Sequence, residues 1–76
     1  MDITAKRELA RVLVGTWNAR HGSYDSATKR HTLDWDTAVA QTTDDPDLRQ
    51  IVPSMLIGYG GEKVDWAERF LASNPA

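Results

Sequence analysis

A chain of 76 residues without cysteine, 41% hydrophobic and 26% charged, predicts one small domain that cannot use disulfides or thiolate metal sites for stability. Its formal net charge of −2 is unevenly distributed, because residues 1–31 carry six Lys or Arg against three acids and residues 32–76 carry three against eight. No apolar run approaches the roughly 20 residues of a membrane span, and the first residues lack the order of a secretory signal, so we expect a cytoplasmic protein.

The first predicted element is a helix over about residues 4–20. Its apolar residues recur at helical spacing along one face, namely Leu9, Val12, Leu13, Thr16 and Trp17. Asp2 or Thr4 is the expected N-cap, and Gly22 is the expected end. Because a Trp side chain offers more surface to bury than any other, Trp17 is predicted to anchor the core.

Residues 21–32 show neither a helical stripe nor strand alternation, and they are predicted to form an ordered loop anchored by Tyr24. A second helix is expected to begin after Asp34, a natural N-cap. Its predicted inner face consists of Trp35, Ala38, Val39 and Thr42. Trp35 is expected to pack beside Trp17.

The third helix has the clearest start, where Asp45 caps, Pro46 needs no amide donor and Asp47 suits the helix dipole. An apolar stripe then continues across Pro53, through Leu48, Ile51, Val52, Met55, Leu56 and Tyr59. Since the stripe keeps its phase, the pattern predicts a kink at Pro53 and no division of the helix.

Gly60 and Gly61 are predicted to stop the third helix. The last helix follows them, with Val64, Ala67, Phe70 and Leu71 facing inward and Trp66 on the flank. The expected fold is therefore all-α, a compact four-helix bundle-like single domain over residues 1–76 with one long loop after the first helix.

The runs VLVGTWNAR, GSYD, LDWDTAVA and the later GYG resemble a family of small uncharacterised helical domains carried on bacterial mobile elements such as integrative elements, plasmids and phages. The residues that match its pattern are Trp17, Asn18, Ala19, Gly22, Asp25, Asp36, Thr37 and Ala38. Thr16 and Ser23 depart from it, standing where the family has a Trp and a Gly, and the loop after Asp25 is longer. The resemblance implies a setting on mobile DNA and carries no activity.

No metal or cofactor site is predicted. His21, His31 and Asp25 lack the spacing of a zinc site. A calcium loop starting at Asp34 would need Gly and Glu where the chain has Val39 and Asp45. Because the sequence also has neither a serine elbow nor a thiol nucleophile, we do not expect an enzyme.

The candidate partner-binding residues are five acids without an intervening cation, Asp34, Asp36, Asp44, Asp45 and Asp47, together with Trp66 as an exposed aromatic anchor. They favour a non-catalytic protein-binding module from a mobile element that docks an acidic helical surface on a basic surface of a host protein complex and inhibits or regulates it. An anti-CRISPR or other anti-defence inhibitor is the most specific form of this hypothesis. The same acids are also explained as helix caps and a solvated face, and both interpretations stay open.

The alternative hypothesis is a small DNA-binding regulator, because the last two helices with their glycine turn have the outline of a helix-turn-helix. Its second helix, however, carries Glu62, Asp65 and Glu68 against Lys63 and Arg69. That charge disfavours direct contact with nucleic acid, although a basic face could come from Lys6, Arg7, Arg11, Lys29 and Arg30.

Overall fold

The computed structural model describes residues 2–58 and 60–75, which form four helices and one short hairpin. In chain order these elements are α1 (Ile3–Gly22), β1 (Tyr24–Asp25), β2 (Arg30–His31), α2 (Trp35–Thr42), α3 (Pro46–Leu56) and α4 (Gly60–Ser73). The predicted helical class is confirmed for the chain as a whole, and the hairpin between α1 and α2 is an addition that the sequence did not predict.

Helix α1 begins after Asp2, whose carboxylate accepts a hydrogen bond of 2.8 Å from the amide of Ala5. Asp2 is therefore the N-cap, and Thr4 already lies inside the helix. The helix ends at Gly22, so the predicted range was short by one residue at its start and two at its end. The predicted inner face is confirmed at its centre, where Val12, Leu13 and Thr16 are buried.

The prediction of a loop without strands after α1 is wrong. Tyr24 pairs with His31 and Asp25 with Arg30 in an antiparallel ladder, and Lys29 closes the turn between them with a left-handed φ of 59°. Strands of two residues are too short to show an alternation of apolar and polar side chains, so no periodic pattern could predict them.

Ser23, and not Tyr24, holds the hairpin to the end of α1. The Ser23 carbonyl accepts the amide of Thr32 at 3.0 Å. Its hydroxyl donates to the carbonyl of Arg20 at 2.6 Å and accepts the amide of Leu33 at 3.1 Å. Tyr24 itself is 52% exposed and is not an anchor.

Helix α2 begins as predicted at the cap Asp34, and its carbonyl end is closed by two arginines. Arg49 donates from Nε to the carbonyl of Thr43 at 2.7 Å and from Nη2 to that of Ala40 at 3.1 Å. Arg11 donates to the carbonyl of Thr42 at 3.3 Å. Guanidinium groups from α3 and α1 thus take the role that a glycine cap has at many helix ends.

Helix α3 starts at the predicted cap Asp45 and continues through Pro53, so the prediction of an undivided helix is confirmed while the kink stays a prediction. Val52, Pro53 and Leu56 are buried. Ile51, predicted to face the core, is 50% exposed, because it lies about 100° around the helix from Val52. Tyr59 lies outside the described residues.

The predicted helix stop at Gly60 and Gly61 is wrong, because these glycines are the first two residues of α4. Helix α3 ends at Leu56, and the chain turns through Ile57 and Gly58. Gly58 has a φ of 81°, in the left-handed region that favours glycine.

The core lies where α1 packs against the other three helices. Its buried members are Ala10, Val12, Leu13, Val39, Val52, Leu56, Val64 and Ala67. Trp17 and Trp35 are partly buried against this cluster and stack on each other with ring centroids 5.9 Å apart. Their predicted contact is confirmed, but Trp17 lies at the edge of the core, and the largest fully buried side chains among the described residues are Leu13 and Leu56.

Candidate functional site

The acids at the start of α2 are Asp34 and Asp36, both exposed. The Asp34 carboxylate accepts the amide of Thr37 at 2.7 Å. This hydrogen bond, with help from the Thr37 side chain and the charge of Arg20, lowers the pKa of Asp34 below its ordinary value. Asp34 is therefore an ionised helix cap, while Asp36 projects from the first turn beside it.

Three more acids lie at the turn between α2 and α3, and all three are exposed. The Asp45 carboxylate caps α3 by accepting the amides of Asp47 at 2.9 Å and Leu48 at 3.4 Å. The Asp44 carboxylate accepts a hydrogen bond from Arg49 at 3.1 Å and remains fully accessible to water. Asp47 occupies the first turn of α3. The turn thus presents three carboxylates, one of them paired with a cation.

Folding brings two acids of the first helix region to this group. Asp2 and Glu8 line one surface depression together with Asp45 and Asp47, and Glu8 is paired with Arg11. Because more than 40 residues separate Asp2 from Asp45 in the chain, no sequence pattern could have linked them. The starts of α1 and α3 therefore form one acidic corner, to which Asp44 is adjacent along the chain.

The five predicted acids do not form one continuous patch. Asp34 caps α2 and Asp36 is its second residue, whereas the other three acids follow the end of the helix. About 9 Å of helix, from Asp36 to Thr42, therefore lies between the two groups. Asp34 lies near Arg20. The acidic corner, in contrast, combines Asp2, Asp45 and Asp47.

Trp66 does not stand out from the surface as an exposed anchor. Its ring is partly buried against the core and stacks on Phe70 at a centroid distance of 5.3 Å. The Nζ of Lys6 lies 6.0 Å from the centre of the Phe70 ring. The contacts of Trp66 are therefore with Phe70 of α4 and with the core.

An aromatic cluster that the sequence analysis missed lies at the other end of α1. His21 stacks on Trp17 at 4.1 Å, and His31 meets the edges of His21 at 5.5 Å and Tyr24 at 5.2 Å. Arg20 lies over the Trp35 ring at 4.7 Å. The spacing of four residues between Trp17 and His21 was the available signal, because side chains at that spacing meet on a helix.

The two histidines of this cluster have different environments. The Nδ1 of His21 lies 3.0 Å from the carbonyl of Trp17, and because a carbonyl only accepts, the assigned tautomer carries its proton on Nδ1. Burial, and then the charges of Arg20 and His21, lower the pKa of His31 below its ordinary value. Within residues 2–58 and 60–75, no three His, Cys, Asp or Glu side chains come together as metal ligands would.

Four of the five cations proposed for a basic face either contact other side chains or lie on the hairpin beyond the end of α1. Arg11 forms an ion pair with Glu8 at 2.6 Å, a hydrogen bond that raises the pKa of Arg11 and lowers that of Glu8. The ammonium group of Lys6 lies near the ring of Phe70. Lys29 and Arg30 are exposed on the hairpin. The proposed basic residues are thus spread from the start of α1 to the hairpin beyond its end.

Comparisons with protein-family models, with curated proteins and with solved structures find no match for this chain. The resemblance to domains of mobile elements, the absence of catalysis and the cytoplasmic location therefore stay predictions. In the part of the chain that the structure describes, no helix has both the length and the apolar character needed to cross a membrane.

Proposed function

We propose that this chain is a non-catalytic protein-binding module, built on a bundle-like helical scaffold, that docks an acidic surface on a basic surface of a host protein complex. In that role it inhibits or regulates the complex. Its most specific form is an inhibitor of a host defence system, such as an anti-CRISPR protein carried on a mobile element. The surface that we assign to the contact consists of the exposed carboxylates at the two ends of α2, which are Asp36 at its start and the acidic corner beyond its end.

The observation that carries this proposal is the exposure of carboxylates at the ends of α2 and the start of α3. Asp34 and Asp45 cap helices, and Asp44 pairs with Arg49. Asp36 and Asp47 are exposed, and among the described residues neither has a recorded hydrogen bond or ion pair through its carboxylate. Local structure therefore explains three of the five acids and leaves two whose charge is available to a partner.

Such a surface acts mainly on the rate of association. Carboxylates facing a basic patch steer the encounter of two proteins, and salt screens this attraction over about 10 Å at 0.1 M. An inhibitor of this kind needs no pocket, since it acts by covering a surface of its partner. The small size of the chain suits that mode of action.

The test uses two charge variants with the same change in net charge. Asp36→Asn with Asp47→Asn removes the two available carboxylates, and Glu62→Gln with Asp65→Asn removes two from α4 as the control. Each immobilised protein is exposed to host-cell lysate, and captured proteins are quantified by mass spectrometry. We expect at least one protein held by the native chain and the control and lost by the Asp36, Asp47 variant.

Kinetics on that protein then separate steering from fold effects. The Asp36, Asp47 variant should associate about tenfold more slowly at low salt, and the difference should shrink as salt increases. Equal association rates at every salt concentration would contradict the electrostatic docking. A gel-shift assay on duplex DNA tests the alternative regulator, because salt-sensitive retention of DNA by the native chain would support that function instead.

A further inference from the structure

Helix α3 carries an apolar face that the core leaves uncovered. Val52, Pro53 and Leu56 point into the core, whereas Ile51 is 50% exposed. Ile51 and the partly buried Leu48 line a shallow depression on the surface. Together these two residues form the Leu48–Ile51 face. A single exposed apolar side chain is common on a protein surface, so what distinguishes Ile51 is the adjoining Leu48 and the charge beside them.

The depression at this face is lined by one charged side chain, and that side chain is a carboxylate. Asp47 lines the same depression, and its other polar residues are the uncharged Gln50 and Ser54. The nearest cation along the helix, Arg49, donates to the carbonyls of Thr43 and Ala40 and is thereby held toward α2. Any side chain that covers Ile51 is therefore next to a carboxylate without an intervening positive charge.

We propose that the Leu48–Ile51 face is the apolar centre of the docking surface and that it takes a basic amphipathic helix of the partner. Apolar residues of that helix pack on Leu48 and Ile51, and its Lys or Arg residues reach Asp47 and Asp45. This inference rests on the protein-binding function proposed above and assigns its anchor to Ile51, in place of Trp66. Amphipathic helices bind apolar grooves in this way through residues spaced three and four apart.

The length of α3 limits the contact to a short stretch of the partner. Eleven residues span about 16 Å, or about three turns of an opposing helix. A contact of that length provides one or two apolar anchors and a few ion pairs. Because exposed ion pairs contribute little to affinity, loss of the apolar anchor should weaken binding more than loss of one carboxylate.

The first test uses two synthetic peptides with the same content of Leu and Lys, each about 18 residues or five helical turns long. One places Leu at helical spacing, and the other alternates Leu and Lys. Binding to the full chain is followed by chemical shifts of its backbone amides. We expect the helical peptide to shift residues 47–54 and to bind about tenfold more tightly than the alternating peptide.

The second test compares two isoleucines of equal exposure. Ile51 is 50% and Ile3 49% exposed, and both lie in helices. Ile51→Gln should weaken binding of the helical peptide about tenfold, and Ile3→Gln less than about twofold. Gln is a good helix former, so both variants should keep the melting curve of the native chain within a few degrees.

Four outcomes would overturn the inference: no binding of the helical peptide, shifts concentrated on another face, equal affinity for the two peptides, or equal affinities of the two isoleucine variants. Self-association through Ile51, measured by sedimentation, would make a second copy the occupant and would also overturn it. If the Asp36, Asp47 variant loses its captured host protein while Ile51→Gln keeps it, the protein-binding function stands and the assignment of Ile51 as anchor is wrong.

Discussion

At the scale of single residues, Thr16 has the least favourable surroundings. It is fully buried in α1, and its hydroxyl oxygen finds no hydrogen-bond partner among the residues that the structure describes. A buried polar group without a partner loses its hydrogen bond to water and gains none in return. Thr43 offers the opposite case, since it is also buried but its hydroxyl accepts the amide of Asp45 at 3.1 Å.

Replacing each threonine by valine, which has nearly the same shape, should therefore change stability in opposite directions. We expect Thr16→Val to raise the free energy of unfolding by about 1 kcal/mol, because it removes an unsatisfied hydroxyl. Thr43→Val should lower it by about 1 to 2 kcal/mol, because the amide of Asp45 loses its acceptor. Urea denaturation measures both. A loss of stability in Thr16→Val would mean that its hydroxyl is bonded in solution.

Residues whose role is set by near neighbours in the chain were predictable. Asp34 and Asp45 were each predicted as helix caps, and Asp2 was one of two candidates for the cap of α1. Each of the three accepts an amide two or three residues ahead. Capping depends on local backbone geometry alone, so a single sequence contains the whole signal. The unsatisfied hydroxyl of Thr16 and the inclusion of Asp2 in the acidic corner depend on distant segments, and the sequence contains no signal for them.

At the scale of elements, the junction between α3 and α4 shows why helix ends are harder to predict than helices. Gly58, Gly60 and Gly61 could each end a helix by their flexibility. Packing decides among them: a Cβ on Gly60 would lie 2.9 Å from Cζ3 of Trp17, whereas a Cβ on Gly61 would have no atom within 4 Å. Gly60 therefore allows α4 to start against α1, and the chain turns earlier, at Gly58.

The two adjacent glycines make a matched pair of variants. Gly60→Ala should lower the free energy of unfolding by about 1 to 3 kcal/mol, because the Trp17 ring, stacked on His21 and Trp35, has little freedom to move. Gly61→Ala should raise it by up to about 1 kcal/mol, because alanine loses less backbone entropy in a helix. Thermal melting followed by circular dichroism distinguishes them. A similar melting temperature for both variants would show that Gly60 has no special packing role.

At the scale of the whole molecule, two apolar residues have the opposite exposure to the one predicted from the sequence. Ile51 fits the core stripe of α3 but is half exposed, and Trp66 lies off the stripe of α4 but is partly buried on Phe70. Helical periodicity gives the direction of a side chain around its own helix and not the number of helices that cover that direction. Which face of α3 or α4 remains open is fixed by how both pack on α1, so the proposed docking surface could not be predicted from the sequence.

Trp17 contacts two other helices, so its ring contributes to the packing of several elements at once. It belongs to α1, stacks on Trp35 of α2 and lies against Gly60 at the start of α4. Trp66 stacks within its own helix on Phe70 and is packed against the core. At about 0.05 to 0.15 kcal/mol per residue, a chain of this length has only about 4 to 11 kcal/mol of stability.

Trp17→Ala should therefore destabilise the entire fold, with Trp66→Ala as its control. Loss of the Trp17 ring removes contacts to two other helices and leaves a cavity, at a cost of about 3 to 5 kcal/mol. For a domain of this size that cost lowers the melting temperature by about 15 °C or more. Trp66→Ala should lower it by less than half as much, because the lost contacts join fewer elements. Equal shifts for the two variants, measured by circular dichroism, would mean that the two rings contribute alike to stability and that the contacts of Trp17 with two other helices give it no special role.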